Sequence, residues 1–233
     1  MTRNLVFSSG RTLALDPWCL MGILNATPDS FSDGGVHLDP TAAVRAGLRM
    51  LDEGATVLDV GGESTRPGAA RVSASDQCAR VLPILKRLRA ETNAVLSIDT
   101  TLAIVAEAAL DAGAEVINDV AAGQEAPRIF DVAAERGAAI VLMHRLVPPG
   151  EDRYSTAYAT APKYGDVVEE VCSFLVERVA AARARGVEKN KIILDPGFGF
   201  GKSVEQNLEL LERINEVVRL GFPVLAGLSR KSF

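Results

Sequence analysis

The chain has 233 residues, 48% of them apolar, and a formal net charge of −5 at neutral pH. That supports one sizeable core, and the acidic balance excludes a nucleic-acid surface, which depends on an excess of lysine and arginine. No segment approaches the roughly eighteen uninterrupted apolar residues of a membrane span, and "MTRNLVFSSGRTLALD" lacks a signal peptide's apolar stretch, so the expected location is the cytoplasm, away from any membrane.

The first apolar run, "WCLMGIL", breaks into the polar, glycine-rich "NATPDSFSDGG". Asp39 before Pro40 then reads as a helix N-cap with proline at the first helical position. Val44, Leu48 and Leu51 share one face of that helix, and Gly54 stops it ahead of "ATVLDV". The pattern repeats along the chain. Val81, Leu85 and Leu88 lie on a helix ending near Asn93, and "AVLSI" follows; Gly113 precedes "EVIN", Gly137 precedes "AAIVLM", Gly186 precedes "KIIL" and Gly221 precedes "PVLAGL". Each run is too short for a helix and continuous enough for a strand buried on both faces.

Seven strands alternating with helices demand a parallel sheet. Each run also exits into polar chemistry: Asn25; Asp59 with Gly61 and Gly62; Asp99; Asn118 with Asp119; His144; Asp195; Ser229 with Arg230 and Lys231. An open sheet needs such groups only at its switch point, whereas in a barrel all the strand ends converge on one mouth. The expected fold class is therefore α/β, a TIM-type (β/α)8 barrel forming a single domain over residues 1–233. The sequence stops after the seventh strand, so the last strand and helices are expected to be missing. Two unpaired strand edges would then make the chain prone to associate.

Several motif readings fail. "DPGFGFGKS" has Pro196 where a Walker A loop needs its first glycine, and its glycines at 197, 199 and 201 miss the dinucleotide fingerprint. Ser229 is followed by Arg230 and Lys231, so it is no nucleophile elbow. Cys19, Cys78 and Cys172 form no C-x-x-C pair and read as reduced structural thiols. His144 reads as a hydrogen-bonded strand-end residue. Asp99 and Asp195 could each cap a helix, but carboxylates at converging strand ends call for a ligand that donates hydrogen bonds, such as a guanidine-like edge. Asn118 can donate and accept beside them, and Lys231 and Arg66 supply positive charge.

"GILNATPDSFSDGG", "GGESTRPGA", "LSIDT", "VINDV", "VLMH", "DPGFGFGK" and "GLSRKSF" resemble, in order, the signature segments of the dihydropteroate synthase family of pterin-binding enzymes, the folate-pathway targets of sulfonamides. The resemblance runs from about residue 18 to residue 233. It implies a transferase that condenses 6-hydroxymethyl-7,8-dihydropterin pyrophosphate with para-aminobenzoate. It places Asp99, Asn118, Asp195, Lys231, Met143 and Phe200 in the pterin pocket, with Asp99 and Lys231 catalytic. It places Phe31, Thr65, Arg66, Pro67 and Ser229 at the aminobenzoate site and its mobile loops. It implies Mg²⁺ held through Asn25, with Asp33 joining, and a homodimer at full length.

The sequence departs from the family in two places. "MHRLVPPGEDRYSTAYATAPKY" is longer than the family's loop and lacks its Met-Gln-Gly-like segment. The family's Arg-x-His motif, which holds pyrophosphate, falls after the eighth strand, and its absence would cost activity. A methyltetrahydrofolate-dependent methyltransferase would share the barrel, but it needs no pyrophosphate site, and Asn25, "STRPG" and "SRKSF" tell against it. A non-catalytic pterin-binding paralogue is the other rival.

Overall fold

The computed structural model describes residues 4–27 and 39–233. An antiparallel hairpin, β1 (Asn4–Val6) and β2 (Thr12–Ala14), comes first, with Leu5 opposite Leu13. Strands and helices then alternate: β3 (Met21–Asn25), α1 (Pro40–Asp52), β4 (Val57–Gly61), α2 (Ala74–Glu91), β5 (Val95–Asp99), α3 (Ala103–Asp111), β6 (Val116–Asp119), α4 (Arg128–Arg136), β7 (Ala139–Met143), α5 (Val167–Ala184) and β8 (Ile192–Asp195). Two further helices, α6 (Val204–Glu212) and α7 (Ile214–Val218), follow. Strands β3 to β8 pair in sequence order, all parallel. This is the α/β layout of a TIM-type barrel.

The seventh expected strand is present only as a beginning. Val224 makes an isolated parallel bridge to Leu194; the Leu194 amide donates to the Pro223 carbonyl at 2.9 Å and the Leu225 amide to the Leu194 carbonyl at 2.8 Å. Among the described residues the sheet does not close, and Ile23 on the outer strand β3 is 49% exposed. A segment with a neighbour on one side only has half the ladder that would hold it extended.

The strands look uniformly apolar in sequence, but their two faces differ. Leu58, Leu96, Ile98, Ile117, Ile140, Leu142 and Leu194 pack outward against helix residues such as Val81, Leu85, Leu88, Val105 and Phe130. Val57, Val95, Val116, Ala139, Val141 and Ile193 face inward and pack on Leu5, Phe7 and Leu13 of the hairpin. The hairpin therefore plugs the end of the barrel at which the strands begin. Arg11 Nε donates to Glu115 Oε1 at 2.9 Å, and Lys191 Nζ donates to the Val6 carbonyl, fastening the plug.

The helix boundaries follow their caps. Asp39 Oδ1 accepts from the Thr41 amide at 2.8 Å, and Gly137 ends α4 in the left-handed region at φ 59°. Helix α2 instead ends at Thr92 with φ −147°, so Asn93 is not the left-handed stop that its place in the sequence predicts. Beyond β6 the chain turns back tightly through Gly123, φ +74°, where a Cβ would come within 2.3 Å of Phe130 Cζ. The Phe130 ring is 1% exposed, and the Arg178 guanidinium sits 5.6 Å from its centroid. Phe130→Ala should lower the free energy of unfolding by about 3–5 kcal/mol, the range for deleting a packed aromatic ring. Urea denaturation of the two proteins measures it.

Candidate active site

The inward-facing positions change character along the strands. The first layer is apolar, the next sets Asp59 opposite Ser97, and the last sets Asp99 opposite Asn118 and Met143 opposite Asp195. Strand parity alone thus gathers Asp99, Asn118, Asp195 and Met143 at one end of the sheet. Gly61 lies between Asn25 and Asp99 in register, and a Cβ on it would come 3.4 Å from Asp99 Oδ2.

Each polar group is held from a different direction. Asn118 Nδ2 donates to Asp59 Oδ2 at 2.8 Å, and Ser97, opposite on β5, presents its hydroxyl to the same carboxylate. Asp195 Oδ1 accepts from the Gly197 amide at 2.7 Å. Lys231 runs along Gly199, where a Cβ would come 2.9 Å from its Cδ, and its Nζ lies 4.2 Å from the centroid of the Phe200 ring. Val120, Met143 and Phe200 pack together as an apolar wall. Flat apolar contact and a convergent polar edge suit a planar ring with hydrogen-bonding groups along one side.

The site is short of positive charge. Burial, and then Asp59, Asp119 and Glu63, push Asp99 well above the ordinary carboxyl range, with Lys231 opposing. Burial raises Asp195 to about 6, against the Gly197 amide and the two lysines, Lys231 and Lys202. Burial lowers Lys231, against Asp195, Asp152 and Asp99. Lys202 is fully buried; its Nζ donates to the carbonyls of Gly197 at 2.9 Å and Phe200 at 3.0 Å and lies 3.0 Å from His144 Nδ1. Burial brings Lys202 down to about 7, and burial with the neighbouring lysine brings His144 down to about 2. A neutral imidazole packed on Phe174 at 5.0 Å is the hydrogen-bonded strand-end residue that the sequence predicts.

The structure brings Asp99, Asn118, Asp195, Lys231, Met143 and Phe200 to the same end of the sheet. Neither aspartate is a helix cap, because α3 begins after Leu102 and α6 is capped by Ser203 with Gln206. Thr65 and Pro67 are half-buried in the loop after β4, while Arg66 and Ser229 are exposed. Asn25 is half-buried at the end of β3. Phe31 and Asp33 lie outside the described residues. Among the described residues no cluster of three or more His, Cys, Asp or Glu side chains could hold a metal. Sequence reasoning missed Val120 and Lys202, and it placed Asp59 past its strand when it lies inside β4 on the inward face. The signal was available: Asp59 has the parity of Val57 and Gly61.

Residues 21–233 match the pterin-binding enzyme family. The chain is 48% identical over 212 residues to a dihydropteroate synthase of Streptococcus pyogenes (serotype M3), an alignment covering 91% of this chain and 75% of the relative. A Xanthomonas albilineans dihydropteroate synthase solved with 4-aminobenzoic acid superposes with a TM-score of 0.89 at 48% identity, over 99% of this chain and 80% of that one. The same organism's enzyme in complex with 7,8-dihydropteroate superposes with a TM-score of 0.84 at 45% identity, over 98% of this chain and 78% of that one. The chain belongs to the pterin-binding enzymes and, within them, to the dihydropteroate synthases, which are transferases.

The turn that carries Asp195 leaves no space for a side chain at Gly197, whose φ is +71° and whose Cβ would fall 1.7 Å from the His144 carbonyl oxygen. Gly197→Ala should force β8 and β7 apart at their ends, lower the thermal midpoint and weaken binding of a pterin. Thermal melts and fluorescence titration with a pterin check both effects.

Proposed function

We propose that the chain joins 6-hydroxymethyl-7,8-dihydropterin pyrophosphate to para-aminobenzoate, giving 7,8-dihydropteroate and pyrophosphate. The observation that carries this reading is the convergence of Asp99, Asn118, Asp195 and Lys231 on the apolar wall of Val120, Met143 and Phe200. A pterin offers N–H donors along its guanidine-like edge and a ring carbonyl as acceptor. Asp195, oriented by the Gly197 amide, accepts from that edge; the Asn118 carboxamide is held by Asp59; Lys231 donates to the carbonyl.

In the reaction the arylamine nitrogen forms a bond to the pterin methylene carbon while the carbon–oxygen bond to pyrophosphate breaks. The electron pair leaves with pyrophosphate, and the amine loses a proton. Positive charge spreads from the methylene into the ring as the bond to oxygen lengthens. Asp99 faces three other acidic groups and is hard to ionise in the free site. A ring acquiring positive charge relieves that repulsion without any reorganisation of the protein, so the attraction grows towards the transition state.

Thr65, Arg66 and Pro67 are assigned to the arylamine side, as are Ser229 and, from the family resemblance alone, Phe31. Mg²⁺ fits the donor set: it keeps most of its waters and takes one or two protein oxygens plus substrate phosphates, which the Asn25 carboxamide beside the side-chain-free Gly61 can provide, with Asp33. When bound it offsets the charge on pyrophosphate. We also read residues 1–233 as belonging to one domain that forms a homodimer at full length; Leu208, Leu211 and Val218 of α6 and α7 are exposed. No described helix is long and apolar enough to cross a membrane, in keeping with a cytoplasmic enzyme.

Asp99→Asn should lower kcat by roughly 10²–10³, about 2.7–4 kcal/mol, while the dissociation constant for the pterin changes far less. Steady-state kinetics beside calorimetric binding separate the two, and comparable losses would show that Asp99 only binds. Turnover should stop in excess EDTA and return with added Mg²⁺, whereas full activity in EDTA would remove the cation from the reading.

A further inference from the structure

The loop that carries Thr65, Arg66 and Pro67, residues 62–73, is held by its own Glu63 and by groups from the segments after β5, β6 and β7. The Gly68 amide donates to the Pro149 carbonyl at 2.8 Å, and the Val72 amide to Glu63 Oε2 at 2.9 Å. Arg71 then reaches out: its Nη1 lies 3.1 Å from Glu63 Oε1 and its Nη2 2.5 Å from Glu125 Oε2. Glu125 belongs to the segment between β6 and α4. Its carboxylate also accepts from Thr101 Oγ1, beyond β5, at 2.6 Å, and from Arg145 Nη2, beyond β7. One carboxylate thus ties together the loops that follow four successive strands.

Arg145, like Thr101, is 7% exposed, and among the described residues its Nη1 is buried without a partner. It lines a cavity of about 10 Å³ together with Thr65, Asp99 and Thr101, close to the volume that one water needs. A guanidinium buried with a free N–H is costly unless its charge is answered, and Glu125 answers it. Burial disfavours the Glu125 carboxylate, but the hydrogen bonds from Thr101, Arg145 and Arg71 outweigh it and hold this carboxyl below the ordinary range.

We propose that Arg145, acting through Glu125 and Arg71, positions the loop of Thr65, Arg66 and Pro67 and so sets the affinity for the arylamine substrate. This rests on the reaction proposed above. Arg145 and Glu125 are positioning residues. The pterin side is held independently, since Asn118 is fixed by Asp59 and Asp195 by Gly197.

The test compares the whole protein with its Arg145→Met, Arg145→Lys and Glu125→Gln variants. It reads four quantities: KM for para-aminobenzoate at saturating pterin pyrophosphate, the calorimetric dissociation constant for the pterin, amide hydrogen exchange over residues 62–73, and the thermal midpoint. Arg145→Met should raise the arylamine KM roughly tenfold, the scale of one lost charge-assisted hydrogen bond, with faster exchange in residues 62–73 and pterin affinity within about twofold. Glu125→Gln should act in the same direction, and Arg145→Lys should restore KM and exchange together. Equal loss of pterin affinity, a raised KM without faster exchange, or a lowered thermal midpoint with KM unchanged overturns the proposal. A wild-type protein that neither binds a pterin nor turns over defeats the reaction itself, before any variant is made. Exchange over residues 62–73 that is the same in wild type and Arg145→Met then overturns the positioning as well.

Discussion

Carboxylates crowded into an enclosed space dominate this structure. Asp59, Asp99 and Asp195 sit on inward positions of β4, β5 and β8, Asp119 follows the inward Asn118 on β6, and burial opposes ionisation of each. The surroundings answer them unequally. Asp119 accepts from the amides of Ala121 at 2.8 Å and Gly123 at 2.6 Å; Asp195 has the Gly197 amide and two lysines; Asp59 has the Asn118 carboxamide. Asp99 has only Lys231 working in its favour, against three acidic neighbours. The least satisfied group is the one best placed to respond to a cation, so the strain in the free site and the chemistry proposed for it have the same origin.

Supporting that crowd takes rigid surroundings. The strands lend their inward faces to the site because their outward faces are sealed by leucine and isoleucine against the helices. Gly197 and Gly199 remove side chains where the His144 carbonyl and Lys231 need the space. Lys202, fully buried, holds the carbonyls of Gly197 and Phe200 and so fixes the turn beneath Asp195 and Lys231.

Much of this was legible in the sequence, for reasons that particular residues make clear. Short apolar runs ending in Asn25, Asp99, Asn118 and Asp195 revealed the parallel sheet and its polar end, because strand termini in such a fold have nowhere else to converge. Asp59 was harder to read, since a polar residue within an apolar run gains meaning only when parity is counted from a known inward neighbour. The hairpin escaped because its strands are three residues long, too short for a periodic signal, although Leu5, Val6 and Phe7 do alternate. "PVLAGL" has the composition of a strand but only the Val224 bridge to show for it: composition reports the preference of a segment, and partners decide whether it is met. The loop clamp around Glu125 could not be foreseen, because it depends on Arg71, Thr101 and Arg145 meeting from segments that only the fold brings close.

The hairpin at the closed end also bears on the order of events during synthesis. Its apolar residues precede every strand of the parallel sheet, yet they rest on Ile193 and beside Lys191, whose Nζ reaches a carbonyl 185 residues earlier in the chain. Until β8 has left the ribosome, Leu5 and Phe7 have no complete seat, and contacts of such long sequence separation form slowly. The hairpin must therefore wait for β8, and the base of the barrel is sealed only after strands β3 to β8 have been made.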